Sequence, residues 1–245
     1  LEHKYKYSYG NGTLNLELKS SALGSSYDYN TLSLSAKNNN KLEKLKINTR
    51  AFCQIGTGSN WAEESKLGLA GANNEQMMDS KFTRSEGIIS SDYTDYDYTT
   101  NHFHQEGGLN LRGYSGYLAP EFNKDGTIAS FNYNGTSGAS FNTEVDFTAY
   151  LPYSIRKNNI ASYLFADAGI ISGEEINKNN YKTAFADFRA DAGIGFTYTF
   201  RNFGPLENIK PLVIRFDMPL FLNRAPASDE DFIQMRWLIG INRAF

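Results

Sequence analysis

An all-β fold, an antiparallel transmembrane β-barrel, is the class that this sequence predicts. Three observations point there: strict apolar–polar alternation, segments too long for an ordinary sheet, and an excess of aromatic side chains. The clearest alternation runs from Phe185 to Phe200. Ala186, Phe188, Ala190, Ala192, Ile194, Phe196, Tyr198 and Phe200 fall on one face, and Asp187, Arg189 and Asp191 on the other. Strands of soluble sheets average about five or six residues, whereas a tilted membrane strand needs about 9–11 for the bilayer alone. The 16 Tyr and 17 Phe suit a membrane interface, where a ring is apolar and its tip is wet.

The other strands follow in order. Tyr5, Tyr7 and Tyr9 mark the first, and Gly10-Asn11-Gly12 reads as a tight turn. Thr13 to Lys19 and Thr31 to Lys37 put Leu14, Leu16, Leu18, Leu32 and Leu34 outward, with Asn38-Asn39-Asn40 as a second turn. Leu45 to Ile55 alternates with Lys46, Asn48 and Arg50 on its polar face. Phe141 to Leu151 places Phe141, Thr143, Val145, Phe147, Ala149 and Leu151 outward, and Asn142, Glu144, Asp146 and Thr148 inward. Ile160 to Ile171 turns Asp167 inward. Leu212, Ile214, Phe216, Met218, Leu220 and Leu222 share one face of the next strand, opposite Arg215 and Asp217. The last strand, Phe232 to Phe245, has Gln234, Arg236, Gly240 and Asn242 on its polar face.

This gives upstream barrel strands over 1–55, a long loop over 56–137, and five C-terminal strands over 138–245. The loop exceeds an ordinary connection and reads as functional. Nine strands are an odd number, and an open sheet cannot sit in lipid, so further strands are expected from the same or another chain.

Composition narrows the function. The net charge of −3 offers no basic footprint, so no nucleic-acid partner is expected. Cys53 is the single cysteine and forms no intramolecular disulfide. His102 and His104 with Glu106 have no second cluster to complete a metal site, and read as a polar loop. The acidic Tyr run from Asp92 to Tyr98 lacks the glycine and terminal Glu of a calcium loop. Ser115 and Ser137 have no His partner or nucleophile elbow. No cofactor and no catalytic residue is expected.

Within the long loop lies Gly107-Gly108-Leu109-Asn110-Leu111-Arg112-Gly113-Tyr114. It resembles the GG…(V/L)RG(F/Y) signature of the Omp85 superfamily, the bacterial surface antigen barrels. Five strands follow it, as in that family. Phe165-Ala166-Asp167-Ala168-Gly169 is similar to the family's FxDxG element, Gly193-Ile194-Gly195-Phe196 to its GxG-aromatic strand, and Phe203-Gly204-Pro205-Leu206 to its GPL. Glu207 to Pro211 lengthens the turn after GPL, and Ala244 departs from the frequent aromatic spacing before Phe245.

The resemblance implies the C-terminal part of a 16-stranded barrel in the bacterial outer membrane. Its function would be insertion of outer-membrane proteins or translocation of a polypeptide. The partners implied are outer-membrane lipid, unfolded outer-membrane clients or a secreted polypeptide, and periplasmic or lipoprotein accessory subunits. The loop motif Leu111, Arg112, Gly113 and Tyr114 is then expected to fold into the lumen, with Arg112 bridging Glu144 and Asp167. A guanidinium fork suits two carboxylates, and Gly113 permits a close turn. Gly240 is expected to loosen pairing at the barrel seam, and Phe245 to carry the C-terminal signal. The alternative is a membrane anchor or self-secretion barrel of a larger peptidase or lipase. Upstream POTRA-type repeats would favour assembly, and an HExxH or GxSxG motif an enzyme.

Overall fold

The computed structural model describes residues 1–21, 24–80, 102–117, 120–122, 128–153, 159–174, 183–185, 188–200, 212–224 and 232–242. Among these the chain is mostly strand, with one short helix, Asn74–Asp79. A single large sheet dominates. Its path runs through β1 (Glu2–Tyr7), β2 (Gly10–Ser20), β3 (Asp28–Leu42), β4 (Leu45–Asn60), β5 (Gly138–Asp146), β6 (Ile160–Glu174), β7 (Arg189–Phe200), β8 (Leu212–Leu222) and β9 (Leu238–Ile241). Each neighbour along this path pairs antiparallel, and β4 pairs β5 across the long loop. Among the described residues β1 and β9 do not pair with each other.

The two faces of this sheet are inverted relative to a soluble protein. Leu16, Leu18, Leu32, Leu34, Ile55, Phe141, Leu164, Phe196, Phe216 and Ile239 are exposed on the outer face. The register aligns them in rows: Leu16 opposite Leu34, Leu34 opposite Cys53, Leu164 opposite Ile194 and Phe196 opposite Phe216. The inner face is buried yet polar, and among the described residues buried polar or charged side chains outnumber buried apolar ones. Charged side chains are rarely buried in soluble domains unless paired. No described helix is long and apolar enough to cross a membrane, which says nothing of crossing by strands.

The strands depart from the sequence reading in identifiable places. Gly10-Asn11-Gly12 does not turn: these residues pair in β2, and the turn falls at Ser8–Tyr9. Gly12 makes room for an aromatic ring instead, because a Cβ there would lie 2.4 Å from the Tyr5 ring. Asn38 and Asn40 likewise belong to β3, where they accept hydrogen bonds from the Tyr5 and Tyr7 hydroxyls. The chain reverses at Glu43–Lys44. β4 continues to Asn60, so the long connection starts later than residue 56.

β5 stops at Asp146 rather than reaching Leu151. The Asp146 carboxylate accepts from the Thr148 N–H at 3.0 Å, a side-chain turn that ends the ladder and opens a 3₁₀ turn over Thr148–Tyr150. In β8 the alternation breaks at a bulge: Ala192 pairs Phe221 while Gly193 pairs Pro219. The extra residue flips every later side chain, so Phe221 faces out and Leu222 is fully buried. The last strand is the most altered. Among the described residues of Phe232 to Phe245, regular pairing covers Leu238–Ile241, with an isolated bridge between Phe221 and Ile233. Arg236 donates to the Pro219 carbonyl at 3.4 Å, but proline has no N–H to return, and the ladder lapses there. Phe245, the GPL element, Ala244 and the acidic Tyr run lie outside the described residues.

Candidate functional site

The long connection folds onto the inner face of the sheet. Leu109 and Leu111 are fully buried with Leu67, Leu69, Tyr114, Ile171 and Leu222, a small apolar cluster. Main-chain bonds hold it: Leu109 N–H donates to Gly68 O at 2.9 Å and Leu111 N–H to Leu69 O at 3.1 Å. Gly108 takes φ +50°, and a Cβ there would meet the Gly68 carbonyl oxygen at 2.3 Å. Both demands select glycine.

Arg112 opens a 3₁₀ turn, Arg112–Tyr114, that aims its side chain at β5 and β6. Nε donates to Asp167 Oδ2 at 2.8 Å and NH2 to Asp167 Oδ1 at 3.0 Å, a bidentate pair. NH1 donates to Glu144 Oε1 at 2.8 Å, and the Arg112 main-chain N–H adds a bond to Asp167 at 3.3 Å. The guanidinium carbon lies 4.0 Å from the Phe165 ring centroid. All three ionic side chains have no solvent exposure. Burial works to lower the Arg112 pKa, but Asp167, Asp217 and Glu144 outweigh it, and the pKa stands well above its ordinary value. The pair expected from sequence, Arg112 with Glu144 and Asp167, is thus brought together.

Gly113 acts through space rather than through a special backbone angle. A Cβ there would lie 2.5 Å from the Asp191 Cβ, so the turn seats directly on β7. The Tyr114 hydroxyl donates to Asn223 Oδ1 at 2.8 Å. Burial, and then Asp191, raise the pKa of that phenol, which stays a neutral donor. Gly240 lies away from this centre, on β9. A Cβ there would meet Arg215 NH2 at 2.5 Å and the His104 carbonyl oxygen at 2.7 Å. It therefore provides clearance for two neighbours.

Several contributors carry no signal in the motif. Arg50 on β4 donates to Gly108 O at 2.7 Å and to Asn142 Oδ1 at 2.9 Å. Asn142 in turn donates to Asn110 O at 3.0 Å and to Asp167 Oδ1 at 3.2 Å. Tyr163 donates to Asp217 at 2.5 Å, and Arg236 donates to Ser115 O at 2.5 Å while lying over the Tyr117 ring. Alternation places each of these on an inner face, and that was the available signal. Which loop atom each one meets is not encoded in spacing.

His104, in the loop read as polar, is buried rather than exposed. It is 2% exposed, accepts from Arg215 NH2 through Nδ1, and donates from Nε2 to Ala70 O at 2.8 Å. Those partners fix the neutral tautomer. Burial, and then the Arg215 charge, hold its pKa well below the ordinary value. Among the described residues no group of three metal-ligating side chains converges.

The arrangement is a buried ionic clasp with main-chain bonds on either side. It can fix a loop against a wall. No protein-family model matches the chain, and no curated protein matches it.

Proposed function

We propose that this chain is the C-terminal part of a 16-stranded Omp85-like barrel of the bacterial outer membrane, working in insertion of outer-membrane proteins or translocation of a polypeptide. The observation that carries this reading is the Arg112 clasp: a loop arginine ion-paired with Glu144 and Asp167 on adjacent strands, under a sheet whose apolar side faces outward. An apolar outer band and a polar interior are what lipid requires of a strand-built wall. An arginine that pairs with two wall carboxylates in that interior fixes the position of the loop.

The partners in this reading are outer-membrane lipid, an unfolded client or secreted polypeptide, accessory periplasmic subunits, and further strands that close the barrel. The work is strand exchange, without a cofactor. The test is client folding in phosphatidylethanolamine/phosphatidylglycerol vesicles that carry the whole protein. Acceleration of an unfolded eight-stranded barrel protein into the protease-resistant state is expected, with loss of that acceleration in Arg112→Ala. A folding rate equal to that of empty vesicles, with no polypeptide crossing either, would sink the reading.

A further inference from the structure

The outer edge of β9 is not bare. Phe103–His104, from the same loop that carries Arg112, pairs with it in parallel, Phe103 opposite Ile239 and His104 opposite Gly240. Ile239 N–H donates to His102 O at 2.7 Å. The His102 ring stacks on Trp237 with centroids 3.7 Å apart and planes 6° apart, and its Nδ1 lies 2.8 Å from Trp237 O. On the inner side His104 meets Arg215, and the missing side chain of Gly240 leaves the slot in which both sit.

We infer that Phe103–His104 is a built-in strand that occupies the edge of β9, and that another extended polypeptide pairs with β9 only in its place. A strand edge offers one row of N–H and C=O groups on each side, so two partners cannot share it. The β8 side is already taken by antiparallel pairing, so a newcomer, like the strand that closes the proposed barrel, meets Ile239–Gly240 only on this side and in place of Phe103–His104. Parallel pairing is slightly weaker per residue than antiparallel, and the clip is only two residues long, so an antiparallel newcomer has the advantage once it arrives. Aromatic stacking and the buried His104 are what the newcomer must displace. Occupancy of the edge stands on geometry alone; its consequence for client handling rests on the proposed function.

The experiment uses the whole protein in lipid vesicles with Cys53→Ser as background. Phe103→Cys with Ile239→Cys should form a disulfide under mild oxidation, in yield comparable to the control pair Phe216→Cys with Ile239→Cys across β8 and β9. Gly240→Val should lower the first yield severalfold and leave the control unchanged. A control that cross-links while the Phe103 pair does not would overturn the inference. The oxidised clip should then slow client insertion at least tenfold, reversed by reductant. Equal insertion by locked and reduced protein would overturn exclusion at this edge. If neither form inserts a client while the Phe103 pair cross-links, the proposed function fails and the occupied edge stands.

Discussion

Arg112 spends its donors on two acids that, among the described residues, have no other cation at hydrogen-bond distance, and this sets what its loss costs. Arg112→Ala leaves Glu144 and Asp167 as buried charges without their partner, a change that costs about 3–5 kcal/mol. The loop should become protease-sensitive at a lower temperature while the sheet persists by circular dichroism. Arg112→Lys should recover little, since an ammonium cannot make the bidentate contact. His104 sets a pH dependence. Its folded pKa lies below the ordinary value of 6.5, so the unfolded chain takes up a proton that the folded chain refuses. Its contribution is whole above 6.5 and is lost as pH falls from there toward the folded value. The charged groups acting on it are Arg215 and Arg112. Loop docking, followed by proteolysis between pH 7.5 and 5, should weaken toward acid, and His104→Gln should flatten that slope.

Pro219 governs the element scale. It faces β9 where a main-chain donor is needed, so one ladder bond is missing opposite Arg236. Pro219→Ala should restore about 0.5–1.5 kcal/mol and protect the amides near Trp237 and Leu238 from hydrogen exchange. Unchanged exchange would show that the lapse belongs to the bulge instead. This strand and its neighbour β7 show what the sequence makes legible. Alternation identifies the face of each residue in β7, where Ala190 to Phe200 and Arg189 to Thr197 keep to opposite sides, but it starts the strand too early: β7 begins at Arg189, and Phe185 ends a separate short strand, Thr183–Phe185, that pairs with β6. It misplaces Leu222, since a bulge changes side-chain parity without any composition signal. Asn38 and Gly12 were misread because turn-forming residues also serve as partners and clearance for tyrosines. The clasp was legible through Arg112, Glu144 and Asp167. Arg50, Asn142 and Asp217 were visible only as inner-face residues: Arg50 and Asn142 reach loop carbonyls, and Asp217 reaches Tyr163 on another strand, contacts that only tertiary folding creates.

On the scale of the molecule, the tightest turns, Ser8–Tyr9 and Glu43–Lys44, share one end of the sheet. The connection that carries Arg112 leaves β4 and returns to β5 at the other. Membrane barrels keep short turns on the periplasmic side and long loops outside, so in the proposed setting the clasp enters from the external end. Two features that look like defects in a soluble protein, an apolar exterior and a charged interior, become mutually consistent there. Arg50, Arg112 and Arg215 meet Asn142, Asp167, Glu144 and Asp217 on the inner face, while Leu34, Phe141 and Ile239 are exposed on the outer face, where the proposed setting would put lipid.

The reach of the clasp along the chain orders events in time. Arg112 bonds to acids 32 and 55 residues further on, and neither acid is correctly placed until β5 and β6 have paired. Contacts of such separation bear their loop-closure cost before they are rewarded. Docking of the loop is therefore a late step that reports a finished wall. Refolding into vesicles should show strand signal first and protease resistance of the loop second. Arg112→Ala should abolish the second phase and leave the rate of the first unchanged, whereas a slowed first phase would mean that the arginine helps to build the wall it later reads.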